Sequence, residues 1–140
     1  MKHGIDYSLY LCTDRRLMTS PTIEASVESA LRGGTTVIQL REKDCSSREF
    51  YELGLRVKKI TERYNAPLII NDRVDIALES GADGVHVGIE DAPVSEIRRQ
   101  TGPDFIIGAT AKTVAQARAA QSAGADYLGV GAVFPSPTKR

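Results

Sequence analysis

The sequence has few cysteines and no excess of charge of either sign, and both shortages exclude classes of protein. Its two cysteines, Cys12 and Cys45, have neither metal-ligand spacing nor the density of a disulfide scaffold, so we expect free thiols. Its 18 Lys+Arg residues balance 18 Asp+Glu residues. A neutral chain has no broad positive field for phosphate backbones or anionic lipids, so we expect no nucleic-acid or membrane partner.

Long hydrophobic runs are also missing. No apolar stretch approaches the roughly 18 residues that a membrane span needs, and residues 1–6 lack the apolar region of a signal peptide. We therefore expect a cytoplasmic protein. The 140 residues, 41% of them hydrophobic and 26% charged, are typical of a single domain covering residues 1–140.

Short apolar segments alternate with segments of helical periodicity. The pattern predicts six strands, at Tyr7–Thr13, Val37–Leu40, Leu68–Asn71, Gly84–Val87, Phe105–Thr110 and Tyr127–Val130. Five helices separate them, and Ser46 with Glu49 and Thr113 with Gln116 are candidate capping boxes. Gly33, Gly81 and Gly124 recur before predicted strands, where each is expected to end a helix in the left-handed conformation. Strict alternation predicts a parallel sheet.

Polar side chains at the ends of nearly all the predicted strands decide between two parallel architectures. A barrel collects functional residues from many strands at one rim, whereas a doubly wound sheet gathers its ligand at one switch point. No glycine-rich dinucleotide fingerprint follows the first strand. We therefore predict an α/β fold of the TIM (β/α)8 barrel type. Eight units need about 200 residues, so we expect this chain to hold about six units, the N-terminal three quarters of a truncated barrel.

Two groups of polar residues at strand ends are candidate ligands. Gln39 and Arg41 point the same way, and an amide beside a guanidinium can bind a polar heterocycle and phosphate oxygens; a solvated, salt-bridged loop is an equal alternative. Asp72 and Asp91 follow neighbouring strands and could bind Mg²⁺ together with substrate phosphates. Each could instead cap the helix after it. Taken together, the two carboxylates favour the metal site.

Three further features carry less information. His86 lies on a short apolar strand, where a hydrogen-bonded core residue is the commoner interpretation, and we assign it no role in the chemistry. Thr110 contacts a ligand or merely turns the chain. The segment from Gly129 to Lys139 combines glycines and prolines with two hydroxyls and an ammonium group, which is typical of a site that binds an oxyanion.

Five motifs, in this order, closely resemble those of thiamine-phosphate synthases. They are Tyr10–Asp14, Gln39–Lys43, Ile70–Asp72, Gly84–Asp91 and Gly129–Lys139. The resemblance implies a TIM-barrel transferase with small-molecule substrates. Such an enzyme joins 4-amino-2-methyl-5-(diphosphooxymethyl)pyrimidine to a carboxylated methylthiazole ethyl phosphate and releases diphosphate and carbon dioxide. In the family the diphosphate departs first and leaves a pyrimidine-stabilised cation.

The resemblance also implies roles for particular residues. Asp72 and Asp91 would bind the cofactor Mg²⁺, and three cations, Arg41, Lys43 and Lys139, would stabilise the diphosphate. The residues implied to contact substrates are Gln39, Leu40, Arg41, Glu42, Lys43, Asn71, Thr110, Ser136, Pro137, Thr138 and Lys139. Two positions depart from the family pattern, since Ile89 stands where the family usually has Gln, and Lys112 where it has His.

Two alternatives stay open. One is a thiazole tautomerase-like relative, which shares the fold but needs no magnesium-diphosphate site. The other is a catalytically impaired fragment that binds the pyrimidine diphosphate without turnover and pairs with another chain, as a homo-oligomer, to cover the open edge of its sixth strand.

Overall fold

A computed structural model of the chain describes residues 4–135. Strands and helices alternate throughout this range. The elements are β1 (Tyr10–Cys12), α1 (Ile23–Arg32), β2 (Val37–Leu40), α2 (Ser47–Arg63), β3 (Leu68–Asn71), α3 (Val74–Glu79), β4 (Gly84–Val87), α4 (Val94–Thr101), β5 (Ile106–Ala111), α5 (Val114–Ala123) and β6 (Tyr127–Val130). None of the helices in the described range is long and apolar enough to cross a membrane.

The six strands form one parallel sheet in the order β1 to β6. Within residues 4–135, β1 pairs only with β2 and β6 only with β5, so these two strands are the ends of the sheet. The sheet nevertheless curves until the hydroxyl of Tyr10 on β1 meets that of Tyr127 on β6. The result is a half-barrel of parallel strands, which confirms the predicted α/β class.

The predicted strands β2, β3, β4 and β6 have the bounds seen in the structure, whereas β1 is shorter and β5 begins and ends one residue later. Ser46 is confirmed as the N-cap of α2, because its hydroxyl accepts from the Glu49 amide at 3.1 Å. The Glu49 carboxylate reaches back as predicted, but it accepts from the Ser46 hydroxyl, at 3.0 Å, and not from the backbone N–H of a capping box. The prediction for Gly33 is wrong: its φ is −80°, and Gly34 adopts the left-handed conformation instead.

The two faces of the sheet bury different kinds of side chain. The outer face packs on the helices through aliphatic residues such as Ile38, Leu40 and Ile70. The inner face begins with a small apolar layer at the amino ends of the strands, formed by Val37, Ile69 and Ile106. Further along β2 to β5, inner positions become polar: Gln39 and Asn71 lie two residues after the apolar layer, His86 lies two residues after Gly84, and Thr110 lies four residues after Ile106. Because inner positions recur every second residue, β2, β3, β4 and β5 each begin with an apolar residue or glycine inside and end with a polar one.

The repeated Gly-Ala-Asp segments before β4 and β6 tie the amino ends of the strands to the helices. Asp83 accepts hydrogen bonds from the Leu68 amide, at the start of β3, and from the Lys58 ammonium of α2, both at 2.8 Å. Asp126 repeats the arrangement, because it accepts from the Ile107 amide of β5 and from the Arg98 guanidinium of α4, again at 2.8 Å. Each carboxylate therefore neutralises a largely buried cation and satisfies a backbone N–H group.

The substitution Asp83→Ala tests this structural role. It leaves both the Lys58 ammonium, 17% exposed, and the Leu68 amide without their acceptor, so we expect a loss of about 2–4 kcal/mol in the free energy of unfolding. Urea unfolding of the 140-residue chain measures it. The exposed Asp104, changed to Ala, is the matched control and should change stability by less than about 0.5 kcal/mol. Equal effects of the two substitutions would contradict a structural role for Asp83.

Candidate active site

A cavity of about 710 Å³ lies inside the curved sheet, toward the carboxyl ends of its strands. Its lining combines aromatic residues with polar ones and includes Tyr10, Gln39, Arg41, His86 and Tyr127. The carboxyl ends of parallel strands are where α/β barrels bind their ligands. A pocket of this size holds a small organic molecule.

Six side chains from all six strands form an inner hydrogen-bond chain across the half-barrel. In order they are Asn71, Gln39, Tyr10, Tyr127, His86 and Thr110. In its first half, the Asn71 amide donates to Gln39 Oε1 at 2.7 Å, and Gln39 Nε2 donates to the Tyr10 hydroxyl at 2.8 Å. The amide of Gln39, which lines the cavity, is therefore held at both ends.

The second half of the inner hydrogen-bond chain is centred on an imidazole. His86 Nδ1 lies 3.0 Å from the Tyr127 hydroxyl, and His86 Nε2 lies 3.0 Å from Thr110 Oγ1. The histidine is only 6% exposed, which confirms the interpretation of His86 as a hydrogen-bonded core residue. Burial raises the pKa of Tyr10 to about 12, and it raises the pKa of the Tyr127 hydroxyl well above its usual range. Both phenols therefore keep their protons at neutral pH.

Glycine at position 108 makes this arrangement possible. Gly108 lies between His86 and Tyr127 in strand register, and a Cβ atom there would come within 2.1 Å of the Tyr127 ring. With only hydrogen at this position, the ring crosses β5, and its centroid lies 5.5 Å from that of the imidazole. The absence of a side chain at position 108 of β5 thus allows Tyr127 of β6 to contact His86 of β4.

The predicted metal ligands Asp72 and Asp91 lie side by side. Burial raises the pKa of Asp91, and a hydrogen bond and repulsion from the Asp72 carboxyl raise it further. Asp91 Oδ2 accepts from the Gly88 amide at 2.6 Å, and the ammonium of Lys43 forms an ion pair with Asp72. Two carboxylates and one ammonium group thus meet at the carboxyl ends of the strands, as the spacing predicted. No group of three or more metal-ligating side chains occurs in residues 4–135.

The alternative in which these carboxylates cap helices is wrong. The residue at the N-cap of α3 is Arg73, that of α4 is Pro93, and neither helix receives a side-chain cap bond. Asp72 adopts a left-handed backbone conformation, with a φ of 63°, that turns the chain between β3 and α3. Few residues other than glycine adopt this conformation, and Asp is among those that tolerate it.

Arg41 also lines the cavity, and a residue that follows β1 holds its backbone in place. Its backbone amide donates to the hydroxyl of the buried Thr13 at 3.0 Å. The Nε atom of its guanidinium is buried and has no hydrogen-bond partner among residues 4–135. A buried donor without an acceptor is unfavourable, and an anionic ligand would supply one.

Two other predicted contact residues have different surroundings. Leu40 is completely buried on the outer face of β2, against the helices, so its side chain cannot reach the cavity. Glu42 forms an ion pair with Arg15 at 2.7 Å, and its side chain is only 5% exposed. This pair joins the loops that follow β1 and β2. Ser136, Pro137, Thr138 and Lys139 lie outside the described residues.

The sequence alone indicates no role for Tyr10, Tyr127 or Arg15. The two tyrosines occupy inner positions on β1 and β6, and a period of two counted from Cys12 and Gly129 would have placed them inside the barrel. Their contact requires the curvature of the sheet, which no local pattern gives. The partner of Arg15, Glu42, lies 27 residues away in the sequence, and no local pattern predicts a pair so far apart.

The substitution Gly108→Ala tests the packing of the inner hydrogen-bond chain. Because the new methyl group overlaps the Tyr127 ring, we expect the free energy of unfolding to fall by about 1–3 kcal/mol, with a changed near-ultraviolet tyrosine circular dichroism. The control is Gly33→Ala, where φ is negative and an added Cβ meets only ordinary contacts, at 3.5 Å or more. An unchanged tyrosine signal in the Gly108 variant would contradict the crossing of β5 by the ring.

Comparison with known proteins gives a consistent family assignment. Residues 9–140 match the family model described as thiamine monophosphate synthase. The thiamine-phosphate synthase of Clostridium botulinum is 56% identical over 140 residues, which are 100% of this chain and 66% of the relative. That of Ruminiclostridium cellulolyticum is 56% identical over 139 residues, 99% of this chain and 66% of the relative.

A solved structure agrees with these relatives. The thiamine phosphate pyrophosphorylase of Pyrococcus furiosus superposes with a TM-score of 0.85 at 44% identity, over 92% of this chain and 62% of that one. The chain thus spans about two thirds of the length of the curated relatives it matches. On the family model, the relatives and the shared half-barrel, the chain belongs to the thiamine monophosphate synthase family.

Proposed function

We propose that this chain forms the pyrimidine-diphosphate site of a thiamine-phosphate synthase. The observation that carries the proposal is the contact between Asp72 and Asp91, with Lys43 beside them, at the carboxyl ends of the strands. The Gln39 amide and Arg41 line the cavity at the same end of the sheet. This arrangement combines a site for a cation, a charge for phosphate and a neutral polar surface for a heterocycle. The substrates are the aminopyrimidine diphosphate and the carboxylated thiazole phosphate.

The carboxylate pair fits Mg²⁺. Two carboxylates in contact repel each other when both are ionised, and the raised pKa of Asp91 reflects this repulsion in addition to burial. A divalent cation removes the repulsion, and Mg²⁺ is commonly held by one or two carboxylates together with substrate phosphates and water. Asp72 and Asp91 would hold the ion, which when bound would supply charge neutralisation to the departing diphosphate.

The side chains of the site promote departure and positioning rather than proton abstraction. The bond between the pyrimidine methylene carbon and the diphosphate oxygen breaks, and its electron pair leaves with diphosphate. The thiazole nitrogen then donates its lone pair to that carbon. The bond from the thiazole ring to its carboxylate breaks with release of carbon dioxide, and the electron pair stays on the ring carbon, which takes up a proton from solvent. Arg41 and Lys43 stabilise the charge on the leaving group. Gln39 and Asn71 hold the pyrimidine ring in line for the attack.

The remaining predicted features belong to the same proposal. The whole enzyme closes an eight-unit barrel and acts in the cytoplasm. Lys139 contacts the diphosphate, and Ser136, Pro137 and Thr138 contact the thiazole phosphate. Thr110 contacts the pyrimidine. Leu40 and Glu42 would contact substrate through their backbone atoms. The Leu40 side chain packs against the helices, and the Glu42 carboxylate forms its ion pair with Arg15.

The substitution Asp91→Asn tests the metal site. Asn keeps an oxygen to accept from the Gly88 amide but removes one negative charge, so we expect Mg²⁺-dependent binding of the pyrimidine diphosphate to weaken by roughly 10-fold or more. Calorimetric titration with and without Mg²⁺ measures the affinity, and formation of thiamine phosphate measures turnover. Glu90→Gln removes the same charge from the exposed neighbouring residue, and it should leave the affinity within about twofold.

Two outcomes would contradict the proposal. One is equal affinity in the native and Asp91→Asn chains, which would remove the carboxylate pair from the metal site. The other is binding of the pyrimidine diphosphate that does not depend on Mg²⁺. That second result would favour a relative, such as a thiazole tautomerase, whose reaction needs no metal-diphosphate complex.

A further inference from the structure

The hydrogen-bond partners in the inner hydrogen-bond chain determine where each proton lies. Gln39 Oε1 accepts from Asn71, so the other end of the amide, Nε2, donates to the Tyr10 oxygen. The Tyr10 hydroxyl proton then needs an acceptor of its own. Among the described residues, its one hydroxyl neighbour in the chain is Tyr127, so Tyr10 donates to Tyr127.

The same reasoning continues through the imidazole. The Tyr127 oxygen now accepts from Tyr10, and its own proton points to His86 Nδ1, which must therefore be unprotonated. The His86 proton lies on Nε2 and is donated to Thr110 Oγ1. The opposite direction would give the Tyr10 oxygen two donors and leave the proton of this half-buried hydroxyl without an acceptor among residues 4–135. Only the first direction gives both phenol protons and the imidazole proton an acceptor within the chain.

We propose that Tyr10, Tyr127 and His86 are positioning residues, which form a one-way chain of hydrogen bonds that fixes the orientation of the Gln39 amide and of the Thr110 hydroxyl. Both phenols are buried enough to keep their protons, and the Gly108 backbone leaves room for the contact on which the chain depends. None of the three needs to exchange a proton with substrate.

The direction of the chain sets what the cavity offers to a ligand. Gln39 uses one N–H on Tyr10, and its second N–H has no acceptor among residues 4–135. The Thr110 oxygen is occupied as an acceptor, so its own proton is available to donate. Of these two residues Gln39 lines the cavity, so the cavity presents a neutral N–H donor, which suits a ring with unprotonated nitrogen atoms. This step rests on the proposed function, in which the ligand is an aminopyrimidine.

The tautomer of His86 tests the direction without any ligand. The sequence has two histidines, so His3→Gln leaves one imidazole. A long-range proton–nitrogen NMR spectrum of that variant, labelled with nitrogen-15 histidine, identifies which ring nitrogen carries the proton. We expect a single neutral form protonated on Nε2. In the added variant Tyr127→Phe, which keeps the ring but removes the donor to Nδ1, we expect a mixture of the two tautomers.

The matched control is Tyr7→Phe. Tyr7 also packs on Tyr127, with ring centroids 5.1 Å apart, but its hydroxyl is outside the inner hydrogen-bond chain in the described structure, so the tautomer should not change. A native imidazole protonated on Nδ1 or on both nitrogens would overturn the proposal. So would a Tyr127→Phe chain that retains the native spectrum, because the tyrosine would then not set the tautomer.

Binding measurements separate this inference from the proposed function. We expect Tyr127→Phe to lower the affinity for the pyrimidine diphosphate by about 10-fold, because the contacts to the pyrimidine ring change. The affinity for inorganic diphosphate with Mg²⁺ should stay within about twofold of the native value, because diphosphate has no ring. Equal losses for both ligands would overturn the positioning role. If the native chain shows the expected tautomer but binds neither ligand, the proposed function is wrong. The inference that the cavity suits an aminopyrimidine is then wrong as well, whereas the one-way chain of hydrogen bonds is still supported.

Discussion

The contact between the hydroxyls of Tyr10 and Tyr127 is the interaction on which the site depends. The two residues lie on the first and sixth strands, at opposite ends of the described sheet, and they meet only because the sheet curves toward a barrel. A flatter sheet would separate them and divide the polar interior into two unconnected halves. With the contact formed, side chains from six strands form one hydrogen-bond chain, and four of its members, Tyr10, Gln39, His86 and Tyr127, line the cavity.

The two ends of the strands serve different purposes, and the sequence of each strand reflects this. At the amino ends, Asp83 and Asp126 fix strand starts to helices, and small apolar side chains fill the interior. At the carboxyl ends, inner positions are polar, and the loops carry carboxylates and cations. The inner residues that stabilise the fold and those that face the site are therefore separated along each strand by two to four residues, that is, by one or two steps between successive inner positions. Changes at one end need not disturb the other.

Local patterns were enough to predict most of the fold. Alternation of apolar runs and amphipathic segments gave the order of the elements, and the hydroxyls of Ser46 and Thr113 marked the starts of two helices. Periodicity also predicted that Gln39 and Arg41 share a face and that the two metal-binding candidates lie at the same rim. These features depend on residues close in sequence or on the regular geometry of parallel strands.

The features that could not be predicted depend on contacts across the half-barrel. Glu42 looked like a substrate ligand because it lies in a charged segment, but Arg15 from the preceding loop occupies its carboxylate. Leu40 was different, since it belongs to the same motif as Gln39 and Arg41, and the period of two that puts them inside puts Leu40 against the helices. Tyr10 and Tyr127 are ordinary strand residues until curvature joins them. The partner of Glu42 lies 27 residues away in the chain, and the two tyrosines are 117 residues apart.

The most direct test of this account is the distance between the Tyr10 and Tyr127 rings in solution. Their centroids are 5.6 Å apart in the curved sheet. With selectively labelled tyrosines, and with Tyr10→Phe and Tyr127→Phe to assign the signals, we expect strong nuclear Overhauser effects between the two rings in the ligand-free chain. Absence of these effects in a folded chain would mean that the first and sixth strands do not meet, and it would contradict a continuous polar surface inside the half-barrel.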